Sequence, residues 1–299
     1  MQTKPNFFIV GAPKCGTTAF NTYLKRHPDV FIPEWKEIHF FGRDLKRDGE
    51  RPSLEDYLAL FAPSTTQRAI GESSVYYLFS RTAANEIYSF NPDARIIIML
   101  RDPIDMVHSL YYQNHWNGHE VATTLETALQ LENARRRGNH VPPGAPPHAL
   151  LYIDIGKFSR QIERYFNVFG RDRVHIVFYD NLRRDTANEF RRVLFFLGVD
   201  VNFETSFEVI NATKETFSPR LQRFLAHPPD WILSAGRKLL PRAVRNTLRA
   251  DLRGMNSKEV KRPAMDDSLR RELCKVFASD LQRLRMLLHD ELPDWCQDS

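Results

Sequence analysis

Phe7 to Phe20, FFIVGAPKCGTTAF, constrains this chain more than any other stretch. Phe7, Phe8, Ile9 and Val10 form a continuous apolar run, as a strand does when both of its faces are covered in a parallel sheet. Gly11, Ala12 and Pro13 interrupt the run, and Gly16 permits close approach of backbone. Thr17 and Thr18 then open a helix that carries Phe20, Tyr23 and Leu24 on one face. A strand, a small-residue loop and a helix start together make an anion site, because unsatisfied N–H groups and the helix dipole face the ligand. Lys14 adds a full positive charge inside the loop. The expected ligand is a phosphate or a sulfate ester.

Spacing narrows this further. Gly11 and Gly16 have the separation found in the nucleotide-triphosphate loop GxxxxGK[ST], but Thr17 stands where the lysine belongs. The lysine has moved back to position 14. A kinase or ATPase on this architecture would need a lysine at position 17 and magnesium-binding carboxylates. The plainer alternative is a glycine-containing strand–helix turn with a solvated lysine, which leaves two threonines and a lysine in so short a loop unexplained.

At 299 residues, 42% apolar and 12% aromatic, the chain can form one large α/β domain or two small ones. Strand-like and helix-like segments alternate, which predicts a central parallel sheet flanked by helices. No stretch approaches the ~18 apolar residues of a membrane span, and the N-terminus lacks a signal-peptide pattern. Cys15, Cys274 and Cys296 are too few and scattered for a disulfide framework or a zinc site, so no metal is expected and a cytoplasmic location is. The net charge of +5 suits anionic ligands without pointing to nucleic acid.

Lys36-Glu37-Ile38-His39-Phe40-Phe41 places two ionisable groups, Glu37 and His39, beside apolar residues. One reading is a surface ion pair next to a hydrophobic anchor. The other is a carboxylate held in a partly desolvated cleft, where its pKa rises and it takes a proton from an acceptor. His39 competes with Glu37 for that role. On a strand the two would share a face.

Taken together, PKCGTT, the spacer HPDVFIP and KEIHFF resemble the sulfotransferases that modify heparan sulfate and their bacterial relatives, which use 3′-phosphoadenosine 5′-phosphosulfate (PAPS). The resemblance implies a P-loop-like nucleotide-binding fold and transfer of a sulfuryl group to an acceptor hydroxyl or amine. It implies that Glu37 is the catalytic base, that Lys14 contacts the leaving phosphate, and that Cys15, Gly16, Thr17 and Thr18 complete the donor loop. In GESSVYY, Ser73 stands where the heparan enzymes often have a second lysine, which leaves Lys14 with more of the charge stabilisation. Ser73 and Ser74 remain as hydrogen-bond donors to the sulfuryl oxygens. The family's RDPxxxxxS spacing, which holds a 3′-phosphate, falls on Arg101 and Ser109.

Arg101 follows a second buried run, ARIIIML, and strand ends of this kind form the ligand rim of open α/β sheets. An arginine fork suits a phosphate; the alternative is a structural pair with Asp102 or Asp105. VHIVFY, residues 174 to 179, is the third buried strand. The proline-rich VPPGAPPH, 141 to 148, reads as a surface loop, either inert or flanking the acceptor cleft.

Lys214 to Arg262 is the most basic part of the chain, and ETFSPR within it is a weak candidate for a loop closing over the nucleotide. Most of its charges read as a solvated helical face, with part of the 3′-phosphate site, an anionic-acceptor surface or peripheral membrane contact as alternatives. Ser268 to Leu288 has strong helical periodicity and should pack back on the rest. The expectation is one domain over 1–299, with a core over about 6–200 and a basic helical part over about 201–299. The acceptor is left open among carbohydrate, lipid and small molecule. A different class of protein, a catalytically inert module binding anionic glycans, would need neither Glu37 nor turnover.

Overall fold

In a computed structural model the first apolar run forms β1 (Phe7–Gly11), buried along its whole length. The structure describes residues 3–46, 49–64, 66–208, 214–216, 257–259, 263–289 and 291–296. Four further strands join β1: β2 (Val30–Phe31), β3 (Ala69–Ser73), β4 (Arg95–Leu100) and β5 (Val174–Phe178). Their order is β2-β3-β1-β4-β5, and every pairing is parallel. The fold is thus the α/β arrangement expected from the alternating pattern. The runs at 7–10 and 94–100 form the central strand β1 and its neighbour β4, and the run at 174–179 supplies the edge strand β5, whereas β2 and β3 are not evident from the residue pattern. β3 reads AIGES, and its glycine is a packing requirement. A Cβ on Gly71 would lie 2.4 Å from the Phe7 carbonyl and 2.6 Å from its ring.

Contacts group the chain into two compact units. The first comprises residues 1–106, 153–211 and 270–299. Within it, α1 (Thr17–Lys25) carries the chain from β1 to β2, and α3 (Ala83–Phe90) from β3 to β4. These connections run in opposite directions along the sheet, so right-handed crossovers put the two helices on opposite faces. The aromatic contacts agree. On one face Phe20 of α1 meets Phe190 of α10 (Thr186–Leu197) edge-on at 6.0 Å. On the other, Phe90 of α3 meets Tyr57 of α2 (Leu54–Ala59) at 5.9 Å, and Tyr88 meets Phe169 of α8 (Ser159–Phe169) at 5.6 Å. The chain leaving β1 returns to one sheet edge and the chain leaving β4 goes on to the other. The carboxyl ends of these neighbours therefore form the topological switch point, where ligands of such sheets bind.

The C-terminal helix α11 (Asp267–Leu287) buries Leu273, Phe277, Leu281 and Leu284. It packs back on the first unit as its periodicity predicts. Phe277 fills the space beside Gly156, and Asp280 accepts hydrogen bonds from the backbone and hydroxyl of Ser159. No helix among the described residues is long and apolar enough to cross a membrane.

The second unit comprises residues 107–152 and 212–269. It holds most of α4 (Pro103–Asn117), α5 (Leu125–Gln130) and α6 (Glu132–Arg136). Arg135, from the run Arg135-Arg136-Arg137, is not a surface charge. Its guanidinium forms two 2.7 Å bonds with Glu120, and neither side chain is exposed at all. The Tyr152 hydroxyl and the N–H groups of Val121 and Ala122, each at 2.8 Å, complete the carboxylate's shell. β6 (Lys214–Thr216) and β7 (Ser257–Glu259) pair antiparallel. The rest of the basic stretch Lys214–Arg262, including most of ETFSPR, lies outside the described residues.

Candidate active site

The loop between β1 and α1 reaches the rim through two left-handed residues, Lys14 at φ 62° and Gly16 at φ 88°. Gly16 is the N-cap of α1; it supplies no side-chain acceptor, and the first turn contains no acidic residue. The positive end of the helix is therefore uncompensated from within and suited to an anion. Thr17 is buried and Thr18 half-buried at its start. Cys15 is fully buried, with its thiol donating to the Pro13 carbonyl at 3.4 Å. Burial pushes that thiol up to about 12, against the opposing pull of Arg101 and Lys14. Cys15 thus serves the loop through its backbone and packing rather than as a nucleophile.

Gly16 also permits contact with the next layer. A Cβ there would come within 3.1 Å of the Tyr179 ring, which opens α9 (Tyr179–Arg184) directly after β5. Over the same ring lies the Arg101 guanidinium, 4.8 Å from its centroid. Arg101 is accordingly on the rim beside the Lys14 loop, as expected from the strand order. Of the two acidic partners anticipated for it, Asp105 makes the contact, at 3.4 Å. Asp105 also meets Arg270 of α11 at 3.0 Å. Burial would raise the Asp105 pKa, but these two cations lower it overall. Asp102 instead accepts from the Ile104 and Asp105 N–H groups and starts α4. Ser109 is buried on α4 within the second unit, and the site described here is confined to the first.

Glu37 and His39 do not lie on a strand. Residues 35–40 have no regular structure, and Glu37 and His39 both adopt left-handed backbone, at φ 60° and 52°. Ile38 between them is fully buried. The two side chains nevertheless meet, with His39 Nε2 3.4 Å from Glu37 Oε2. The reason is the end of β3. The Glu37 N–H donates to the Ser73 carbonyl at 3.0 Å, and Glu37 Oε2 accepts from the Val75 N–H at 2.9 Å. The segment after β3 is itself tied to β1, through Ser74 N–H to Ile9 at 3.1 Å and Leu78 N–H to Val10 at 2.7 Å. Lys36 closes on Glu37 Oε1, leaving the carboxylate about a third exposed, 32%. Of the two sequence readings the structure shows the ion pair, and it stands beside the carboxyl end of β3, the strand next to β1.

Further residues complete the site, Ser73 among those the sequence singles out and others that it does not. Ser73 is buried and its Oγ has no hydrogen-bond partner among the described residues; the same holds for Oδ1 of Asn21 on α1. Beneath Glu37 lies a buried carboxylate, Glu72, 1% exposed and ringed by Tyr57, Ser74 and Tyr77. Burial pushes its pKa up to about 7, against the pull of those hydroxyls, and the charge of Glu37 adds to the rise. Arg51 donates to the carbonyls of His39, Phe41, Gly42 and Leu45 at 2.6 to 2.9 Å. A lone glutamate inside a strand sequence is the one signal that marks Glu72. Nothing in the sequence marks Tyr179 or Arg51.

Comparison with known proteins bears on this arrangement. The family model for the sulfotransferase domain matches residues 4–220. Mouse bifunctional heparan sulfate N-deacetylase/N-sulfotransferase 4 is 29% identical over 209 residues, covering 68% of this chain and 23% of the relative. Mouse carbohydrate sulfotransferase 15 is 33% identical over 252 residues, covering 67% of this chain and 44% of the relative. The chain thus spans less than half the length of either. A solved sulfotransferase from Alicyclobacillus acidocaldarius is 30% identical with a TM-score of 0.73, over 98% of this chain and 99% of that one.

Proposed function

Since the chain belongs to the sulfotransferase-domain family, we propose that it moves the sulfuryl group of PAPS to a hydroxyl or amine of a carbohydrate. The observation that carries this is the placement of an uncapped helix start and Lys14 at the end of β1, beside Glu37 at the end of β3. In the proposed reaction Glu37 takes the acceptor's proton. The acceptor oxygen or nitrogen attacks sulfur in line, and the bond from sulfur to the phosphate oxygen breaks. Lys14 and the N–H groups of Gly16, Thr17 and Thr18 stabilise the charge that grows on the leaving phosphate, as preorganised donors do. Arg101 offers its fork to the 3′-phosphate. The Ser73 hydroxyl, without a hydrogen-bond partner among the described residues, fits a sulfuryl oxygen. His39, in contact with Glu37, orients it rather than replacing it. The acceptor class is supported by the carbohydrate names of the relatives.

Calorimetric titration with 3′-phosphoadenosine 5′-phosphate without magnesium, beside ATP with magnesium, tests the donor site. Binding of the bisphosphate alone supports it; binding of ATP with magnesium alone overturns it. Glu37→Gln should keep bisphosphate affinity and lose turnover by roughly 10²- to 10⁴-fold, the usual worth of a general base. Wild-type turnover in that variant would remove Glu37 from the mechanism.

A further inference from the structure

A base held in a loop without regular structure needs something to fix it. We propose that Glu72 is the positioning residue for Glu37: it orients two hydroxyls that hold the backbone of the 37–42 loop. This rests on the assignment of Glu37 as the base.

Glu72 Oε1 accepts from the Tyr57 hydroxyl at 2.8 Å and the Tyr77 hydroxyl at 3.0 Å, while Oε2 accepts from Ser74 Oγ at 2.8 Å. Two of these oxygens are used a second time. Ser74 Oγ accepts from the His39 N–H at 3.1 Å, and the Tyr77 oxygen accepts from the Phe41 N–H at 3.2 Å. A hydroxyl has one proton, and an ionised carboxylate only accepts. Glu72 therefore obliges Ser74 and Tyr77 to point their protons inward and their lone pairs at the loop. The third hydroxyl is tied in by packing, since the Tyr57 ring stacks on Phe40 at 4.1 Å. Arg51 grips the same loop by its carbonyls. Both backbone faces of residues 39–42 are thus fixed, and with them the neighbouring Glu37.

Replacing Glu72 by glutamine puts an N–H₂ group where one acceptor stood. That amide donates to a hydroxyl oxygen and competes with the loop N–H for it. The groups facing Glu72 are Tyr57 from α2, Ser74 and Tyr77 from the segment after β3, and Glu37 from the loop. With its pKa pushed up to about 7, wild-type turnover should show an ionisation near neutral pH that the glutamine variant lacks.

The test uses the full chain as wild type, Glu72→Gln, Tyr77→Phe and Glu37→Gln. Release of inorganic sulfate from PAPS gives an acceptor-independent kcat, calorimetry gives affinity for 3′-phosphoadenosine 5′-phosphate, and hydrogen exchange is followed in peptides covering 36–42 and 11–18. Glu72→Gln should lower kcat roughly 10- to 100-fold, the range expected of a misplacement near 1 Å. It should leave bisphosphate affinity within about twofold, abolish the ionisation near neutrality, and speed exchange in 36–42 but not in 11–18. Tyr77→Phe should do the same more weakly, and it decides the matter if Glu72→Gln does not fold. Wild-type kcat, pH profile and exchange in both variants would overturn the proposal. Wild-type sulfate release in Glu37→Gln would instead refute the base, and exchange in 36–42 would still decide whether Glu72 holds the loop.

Discussion

Gly16→Ala is the substitution that most directly probes how the anion loop and Arg101 are coupled. Two effects separate. The first is backbone strain: φ is 88° at Gly16, and an L-residue held in left-handed conformation costs roughly 1–2 kcal/mol. The second is local. The new Cβ would lie 3.1 and 3.2 Å from two Tyr179 ring carbons and 3.4 Å from Leu182, against about 3.5–4.0 Å for carbons at their best separation. The ring must shift by a few tenths of an ångström, and the Arg101 guanidinium rides on it. If Arg101 loses one charge-assisted bond to phosphate, the cost is about 1.5–3 kcal/mol, which is roughly ten- to a hundredfold in affinity. Gly138→Ala is the control, because Gly138 also has positive φ, 83°, but an added Cβ would meet nothing within 4 Å. Urea denaturation and calorimetry with 3′-phosphoadenosine 5′-phosphate should show both variants destabilised similarly and only Gly16→Ala weakened in binding. Equal affinity in the two would refute the coupling through Tyr179.

Arg135→Met should destabilise the second unit by about 3–5 kcal/mol, since it strands a fully buried carboxylate; a urea midpoint within error of wild type would deny that role. Burial raises the pKa of Glu120, but its bonds to Arg135, the Ala122 N–H and Tyr152 leave it below the ordinary carboxylate value. Its contribution is therefore present above about pH 4.3 and lost as pH falls through the folded value, which stability measured against pH should show and Arg135→Met should diminish. His175 on β5 is held neutral, with its pKa pushed down to about 4 by burial first and Arg192 second. The unfolded chain binds its proton more readily, so stability should decline as pH drops from about 6.5 to about 4. His175→Phe, which keeps the stack on Phe196 and removes a ring nitrogen without a hydrogen-bond partner among the described residues, should flatten that slope; an unchanged slope would reject it.

What the sequence revealed followed from how locally each feature is encoded. β1 and β4 are legible because burial on both faces demands an unbroken apolar run, and Phe7–Val10 and Ile96–Leu100 supply it; the edge strand β5 shows in Val174–Phe178, which is apolar but for His175. The anion loop is legible because left-handed turns and an uncapped helix start select for glycine and small residues within a few positions. β3 escapes this logic. Glu72 can sit inside a strand only because Tyr57, Ser74 and Tyr77, two of them on the same side of the chain and one from a separate helix, bring it three hydroxyls. Burial of a carboxylate is decided by its partners, and those partners are not encoded at position 72.

Partners distant in sequence also decide the conformation at Glu37 and His39. Alternation in KEIHFF reads as a strand, since polar and apolar residues change places with period two. Among the described residues no strand pairs with this segment along its length: the N–H groups of Glu37, His39 and Phe41 go to the Ser73 carbonyl and to the hydroxyls of Ser74 and Tyr77. Side-chain acceptors take the place of a ladder, and they free the backbone to turn left-handed at Glu37 and His39. A ladder would have fixed both side chains by register alone. Here their placement depends on which way two hydroxyl protons point, and that is set by the charge on one buried carboxylate. If Glu37 is the base, as proposed, a single proton on Glu72 misaligns it, which does not happen to a glutamate on a paired strand.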